Sequence, residues 1–363
     1  MSRLPDGARF ATRAVHAGLD PDPSYGSVIP PVHQTSTFAQ TAPGQPVEDY
    51  EYARTANPTR TALERALGEL EGGVASCFAS GMAATHALFT AHLDAGDHVV
   101  LPLDLYGGTY RLVDKVLSRF GLRYDMVDQT DLDALELAMR PETRMIWVET
   151  PTNPLLNVVD LEGVVARRRE ALVAVDNTFA TPAVQRPLEL GADAVVHSAT
   201  KYLGGHSDVV SGAVVVRHPG LHEGVRFVQN AVGAVPGPLD CFLVHRGLRT
   251  LHLRVAAHTE NGRAVSDFLR GADGVTEVRW PGFGGMVSFR HPEAGRIAAA
   301  TEIFLLAESL GGVESLVELP QAMTHQSVED SAAAVPPDLV RLSCGVEAAE
   351  DLVNDLRRAL GGA

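Results

Sequence analysis

The sequence predicts an α/β protein: a mostly parallel central sheet followed by a smaller C-terminal α+β domain. Three observations predict it. Short apolar runs alternate with stretches of helical periodicity between about residues 61 and 216, the pattern of a parallel sheet covered on both faces. Beyond about residue 240 that rhythm gives way to a long helical stretch and then to smaller strands. Two apolar runs also end in residues that carry chemistry. Leu172-Val173-Ala174-Val175 leads into Asp176-Asn177-Thr178, and Ala194-Val195-Val196 leads into Ser198-Ala199-Thr200-Lys201. Ligands of open α/β sheets bind outside the carboxyl ends of such strands.

Residues 1–55 are rich in Pro, Ser, Thr and Asp and read as an extended arm of the kind that contacts a neighbouring subunit. The first helix is expected near Thr61, where Thr61 and Glu64 have capping-box spacing. Leu63, Ala66, Leu67 and Leu70 then fall on one face, and Gly72-Gly73 stops the helix. Helices are expected over 82–92, 110–120, 132–139 and 161–169. Strands are expected over 98–103, 124–127, 145–148 and 172–175, with another over 209–216 after Lys201. Residues 239–269 read as one long helix or two joined ones. Strands at 275–280 and 286–289 and a last helix over 348–360 follow. The division is therefore an arm, a large ligand-binding domain over 56–240 and a small domain over 241–363.

A net charge of −15 argues against nucleic acid and against an anionic membrane surface. The opening residues have no apolar h-region, and no apolar run approaches the roughly 20 residues of a membrane span. Cys77, Cys241 and Cys344 are far apart and odd in number, which excludes a disulfide framework and a CxxC metal site. They suit buried thiols in a reducing cytoplasm. His218 and His222 are four apart, but Pro219-Gly220 stands between them, so no metal is implied.

A lysine that forms a Schiff base with pyridoxal 5'-phosphate (PLP), with an Asp on the ring nitrogen, fits Lys201 and Asp176. PLP also needs a phosphate cradle, a group on the ring face and a clamp for the substrate's carboxylate. Ser80-Gly81-Met82 opens a helix, whose first N–H groups suit an anion. Tyr106-Gly107-Gly108-Thr109 puts an aromatic on a loop after a strand. Glu149-Thr150-Pro151-Thr152-Asn153-Pro154 ends another strand in polar groups. Arg341 precedes Leu342-Ser343-Cys344-Gly345, and a planar guanidinium suits a carboxylate. Ser198-Ala199-Thr200-Lys201 also fits the S-x-x-K of penicillin-binding enzymes. No K-T-G follows, however, and Ser207-Asp208 lacks the Asn. A non-enzymatic role would leave the whole set without a purpose.

Taken in order, these segments resemble the PLP enzymes of cysteine and methionine metabolism: cystathionine γ-lyase, cystathionine γ-synthase, cystathionine β-lyase and methionine γ-lyase. The resemblance runs from about Arg9 to the C-terminus. It is carried further by Tyr52-Ala53-Arg54-Thr55-Ala56-Asn57-Pro58-Thr59-Arg60, Gly205-His206-Ser207-Asp208 and Ala307-Glu308-Ser309-Leu310-Gly311-Gly312-Val313-Glu314-Ser315-Leu316. It implies a fold type I PLP-dependent transferase (aspartate-aminotransferase-like). Lys201 would carry the cofactor and shuttle protons, and Asp176 would keep the ring nitrogen protonated. Gly81, Met82, Ser198 and Thr200 would hold the phosphate, with Thr178 also beside the cofactor. Tyr106 would stack on the ring. Tyr52 and Arg54 would reach the phosphate in a neighbouring subunit, so a homo-oligomer, a dimer of dimers, is implied. Arg341, helped by Asn153 and Ser315, would clamp the α-carboxylate of an amino-acid substrate.

Within that family, γ-chemistry on cystathionine is favoured. Methionine γ-lyases carry Cys where this chain has Gly108. The γ-acting members resemble this chain in having Glu at 314, and Arg111 and Glu51 match positions associated with the distal end of cystathionine. The lyase is expected ahead of the synthase. Two departures stand out. Ala56 replaces a usual Gly, and the stretches over 280–286 and 290–301 are short, from either a trimmed small domain or absent residues.

Overall fold

Seven strands lie side by side in the computed structural model, which describes residues 4–5, 7–326 and 334–361. Across the sheet the order is Val74–Phe78, Gly212–Val216, Ala194–Ser198, Leu172–Asp176, Thr143–Glu149, His98–Pro102 and Arg123–Val127. Only Gly212–Val216 runs against its neighbours; the sheet is otherwise parallel. Strand alternation sorts the side chains into two buried layers. Met145, Trp147, Ala174, Val196 and Val214 pack with Leu88 and Phe89 of the helix Gly81–His92. Ile146, Val148, Val173 and Val175 pack on the other face with Leu161 and Val164.

The second sheet has the order Thr276–Arg279, Met286–Arg290, Leu339–Ser343, Leu316–Glu318 and Leu305–Leu306. Its apolar face, including Val287, Phe289, Val340 and Leu342, is covered by the helices Leu251–Arg270 and Ala349–Ala359 through Val265, Leu269, Leu352 and Leu356. The long helical stretch is two helices, Pro238–Leu248 and Leu251–Arg270. Their joint is held by buried Arg254, which donates to Gly247 O (2.7 Å) and Tyr202 O (2.6 Å).

Several expectations are corrected. The first long helix is Pro58–Glu71, capped by Asn57 rather than Thr61. The Asn57 side chain accepts from the Thr59 and Arg60 N–H groups, and Pro58 takes the first position, where its missing N–H costs nothing. Pro219 likewise opens a helix, Pro219–Val232, and does not interrupt one. The arm is not wholly extended. Phe10–His16 is a helix, and just beyond it buried Ala17 offers its carbonyl to His245 Nε2 (2.9 Å). The helix expected over 110–120 begins at Gly107 and changes character along its length: α to Arg111, π-helical over Leu112–Val116, then 3₁₀ to Phe120. The edge strand Val74–Phe78 escaped notice because Ala75, Ser76 and Cys77 are small.

The short stretch after Trp280 closes on itself. The Trp280 indole donates to Gly284 O (3.0 Å), while Gly284 N and Gly285 N donate to Thr259 Oγ1 (2.9 Å) and Tyr202 Oη (3.2 Å). Ala56 is not among the described residues with positive φ, so the backbone does not ask for glycine there. Cys77, Cys241 and Cys344 are buried free thiols. Among the described residues no helix is long and apolar enough to cross a membrane.

Candidate active site

Four adjacent parallel strands deliver the site at one edge of the large sheet. Tyr106 lies on the loop after His98–Pro102. Glu149 and Asp176 end the next two strands, and Ser198 ends the fourth, with Thr200 and Lys201 just beyond. They surround a cavity of about 320 Å³ that is completed by Asn153 and by Glu308, Ser309, Thr324 and Arg341 from the C-terminal part of the chain.

Ser80 caps the helix Gly81–His92, its Oγ accepting the Ala83 N–H (3.0 Å). The Gly81 and Met82 N–H groups, in the first turn, have no intrahelical acceptor and stand at the positive end of the helix. A Cβ on Gly81 would lie 2.8 Å from Ser198 Cβ, so only glycine lets this turn close on Ser198. The result is an anion cradle of Gly81, Met82 and Ser198. Thr200 also lines the cavity, its hydroxyl exchanging hydrogen bonds with the Ser211 backbone (3.0 and 3.1 Å).

Asp176 Oδ1 accepts the Thr178 N–H (3.0 Å), and Thr178 Oγ1 in turn accepts the Ser198 N–H (2.9 Å). Glu149 stands directly beside Asp176 in the sheet register. Burial pushes both carboxyls up, Glu149 to about 8, with the Asp176 charge adding to its rise. Glu149 Oε2 accepts the Tyr106 N–H (2.8 Å) and its Oε1 accepts the Trp147 indole N–H (3.2 Å). Glu149 therefore ties down the Tyr106 loop and leaves Asp176 facing the cavity. A half-buried carboxylate so placed suits a protonated ring nitrogen.

Lys201 Nζ donates to Ser309 Oγ (2.8 Å). Burial, helped by the Arg341 charge, brings the amine down to about 8, so a sizeable share is neutral and nucleophilic near neutral pH. Buried Arg341 sits on the strand Leu339–Ser343. Its Nη1 donates to Asn153 Oδ1 (2.8 Å) and its Nη2 to Ser309 O (3.1 Å). An amine, a half-buried carboxylate, an anion cradle, an aromatic ring and a guanidinium around one cavity fit PLP bearing an amino acid.

The structure thus brings together Lys201, Tyr106, Asp176, Gly81, Met82, Thr178, Ser198, Thr200, Asn153 and Arg341. It does not bring Ser315 or Glu314 there. Ser315 is fully buried, its Oγ donating to Glu347 Oε2 (2.9 Å) and its N–H to Glu347 Oε1 (2.7 Å), while Glu314 accepts from Ser207 Oγ. The segment contains Glu-Ser twice, and the first copy, Glu308-Ser309, is the one that lines the cavity. Ser309 holds φ at 98°, a strained value for a residue with a Cβ. Arg111 is exposed and outside the lining, though its charge bears on Tyr106. Glu51, Tyr52 and Arg54 are exposed, also outside the lining, with the Arg54 guanidinium 5.7 Å from the Tyr52 ring centre. Glu149, Glu308 and Ser309 were missed. The sequence did signal Glu149, which ends the strand next to the one that ends in Asp176. No metal-binding group of three or more His, Cys, Asp or Glu occurs among the described residues.

A family model described as Cys/Met metabolism PLP-dependent enzyme matches residues 11–361. Cystathionine gamma-synthase of Mycobacterium tuberculosis is 52% identical over 375 residues, spanning 97% of this chain and 96% of the relative. Cystathionine gamma-lyase of Homo sapiens is 45% identical over 390 residues, spanning 99% of this chain and 95% of the relative. Both alignments are longer than the 363-residue chain, so each carries gaps on the side of this chain. The solved structure of metB from Corynebacterium glutamicum superposes with a TM-score of 0.97 at 44% identity, covering 98% of this chain and 99% of that one.

Proposed function

Because the chain belongs to the PLP-dependent enzymes of Cys/Met metabolism, we propose that it works at the γ-carbon of its substrate, joining cysteine to an activated homoserine to give cystathionine. One observation carries the chemistry: a half-buried lysine amine and a half-buried carboxylate face one cavity with an anion cradle beside them. The choice of synthase over the γ-lyase expected from the sequence rests on similarity, since the relatives named synthase stand nearer in identity. Bound PLP supplies an electron sink for bonds broken next to the substrate's α-carbon. Lys201 would hold the cofactor and serve the proton at the substrate's α-carbon, with Ser309 Oγ (2.8 Å from Nζ) steering the amine. Asp176 holds the ring nitrogen, and Gly81, Met82, Ser198 and Thr200 take the phosphate. Arg341 and Asn153 fix the α-carboxylate, which sets the Cα–H bond against the ring.

Tyr52 and Arg54 lie too exposed to serve their own cavity, which supports assigning them to the cofactor phosphate of a second copy in a dimer of dimers. In that assembly residues 1–55 form the arm, 56–240 the cofactor domain and 241–363 the small domain, working in the cytoplasm. The second reading, γ-elimination of cystathionine to cysteine, 2-oxobutanoate and ammonia, uses the same residues. Exposed Arg111, whose charge bears on Tyr106, suits the distal carboxylate of cystathionine as product or as substrate. Product analysis separates the two. The enzyme is given an O-acylhomoserine with cysteine, then L-cystathionine alone. Cystathionine from the first with little turnover of the second is the expected result; rapid release of 2-oxobutanoate from cystathionine would replace the synthase reading by the lyase.

A further inference from the structure

Arg341 belongs to a closed ring of polar groups, all buried except the half-buried Thr324 that lines the cavity. Its Nη1 donates to Asn153 Oδ1 (2.8 Å), and the Asn153 carbonyl oxygen lies 3.1 Å from His325 Nε2. His325 Nδ1 is 2.8 Å from Thr324 Oγ1, which is 2.8 Å from Glu318 Oε1. Glu318 Oε2 returns to within 2.9 Å of Arg341 Nη2, an ion-pair distance without hydrogen-bond alignment. Glu318 and His325 are each 1% exposed and Arg341 3%. The pairing of Glu318 with Arg341 across neighbouring strands fixes the ring in the small sheet.

Counting hydrogens around the ring decides its charge. The Asn153 carbonyl only accepts, so His325 Nε2 carries a hydrogen. Thr324 has one hydroxyl hydrogen but makes two contacts of hydrogen-bond length. If Glu318 were ionised and His325 neutral, one of those contacts would set lone pair against lone pair. The ring therefore needs one more proton, on Glu318 or on His325. Burial, with the Arg341 charge second, holds His325 down to about 4. Burial pushes the Glu318 carboxyl up against the pull of Arg341. A proton on Glu318 makes the chain continuous: Glu318 then donates to Thr324, Thr324 to His325, and His325 to the Asn153 backbone carbonyl.

We propose that neutral Glu318, Thr324 and His325 form a one-directional hydrogen-bond relay that locks Asn153 and Arg341 in place while leaving the Arg341 charge uncancelled for the substrate's α-carboxylate. The relay rests on the reading of Arg341 as the carboxylate clamp. An ionised glutamate at 318 would compete with the substrate for the guanidinium; a neutral one only orients it. The other charged groups bearing on the relay are Lys201, Glu308 and Arg111. All three positioning residues act through Arg341 and Asn153.

The test uses the PLP-loaded enzyme and L-alanine, which carries an α-carboxylate but no γ-leaving group, so the readout is independent of the overall reaction. Its Kd is read from the change in cofactor absorbance between about pH 7 and pH 9. Glu318→Ala and Thr324→Val each break the relay and should raise Kd about tenfold. Glu318→Gln, whose amide donates where the acid did, and Thr324→Ser, which keeps the hydroxyl, should each restore most of that loss. A Glu318→Gln variant as weak as Glu318→Ala, or one binding much tighter than the parent, would show an ionised glutamate and overturn the relay. Arg341→Ala separates this from the clamp itself: unchanged L-alanine binding there overturns the clamp reading, and the relay with it.

Discussion

Gly108 faces the Tyr106 ring, and adding a single methyl group there tests how tightly that ring is placed. A Cβ at 108 would lie 2.3 Å from Tyr106 Cε1 and 2.9 Å from both Tyr106 Cζ and Met82 Sδ. Ordinary carbon contacts begin near 3.5 Å, so Gly108→Ala forces the ring back by about 1 Å or more. The Tyr106 backbone cannot follow freely, because its N–H is held by Glu149 Oε2 at 2.8 Å. The ring must therefore swing about its own side-chain bonds. Overpacking of this kind costs about 1–3 kcal/mol, and displacement of an aromatic stack costs about 0.5–1.5 kcal/mol. The variant should bind PLP roughly tenfold more weakly, measured by equilibrium dialysis of cofactor-free protein. The thermal midpoint of that cofactor-free protein should fall only a few degrees, because the cavity gives the ring somewhere to go. Gly108→Cys, the residue typical of methionine γ-lyases, should behave alike for the same reason. PLP binding by Gly108→Ala at parental strength would refute the placement of Tyr106 over the ring.

Lys201→Ala should retain no cofactor after borohydride treatment and dialysis and should turn over nothing; normal activity would end the central proposal. Capture of PLP by cofactor-free enzyme needs the neutral amine, and Lys201 is brought down to about 8. The capture rate should therefore climb as pH rises toward 8 and level off above it, whereas an ordinary lysine would keep climbing past pH 10. Arg341→Ala should cut kcat/KM at least tenfold on every amino-acid substrate, while Arg111→Ala should hurt only those with a distal carboxylate; equal losses on both kinds in Arg111→Ala would remove it from the distal site. Hybrids of Arg54→Ala and Lys201→Ala subunits should regain activity that neither parent has, and verified hybrids without any would count against a shared site.

The large sheet was legible because its physics is local. A strand buried on both faces must be apolar along its whole length, and a parallel connection must carry a helix, so the alternation appears in the sequence itself. Lys201, Asp176, Ser198 and Thr178 were legible for the same reason, since strand ends are sequence-local and the sheet edge collects them. The parts that stayed hidden depend on contacts between distant segments. Whether Glu308-Ser309 or Glu314-Ser315 enters the cavity cannot be told from two copies of one dipeptide. It is decided by Glu347, 32 residues beyond Ser315, which takes both the Ser315 N–H and its hydroxyl. The helix after Pro219 was hidden by a different ambiguity: proline-glycine both stops helices and starts them.

The same distinction explains how the site divides its labour. Groups assigned to the cofactor come from consecutive strand ends of one rigid sheet, where register fixes spacing: Glu149 opposite Asp176, and Asp176 opposite Val196, two residues before Ser198. Of the groups assigned to the substrate, Arg341 comes from the second sheet and Asn153 from the loop after Thr143–Glu149 of the large one, while Ser309, beside the lysine, lies on a loop before the second sheet's Leu316–Glu318. Arg341 meets Asn153 across 188 residues of chain, and Lys201 meets Ser309 across 108. A shift of the second sheet would therefore move Arg341, the proposed carboxylate clamp, and the partner of the Lys201 amine together, while leaving the anion cradle and Asp176 where they are. Cofactor affinity should accordingly respond to changes in the strand ends and Gly108, and substrate affinity to changes around Arg341 and its polar ring. Synthase and lyase would then differ not in this shared frame but in what the cavity admits after the γ-bond has broken.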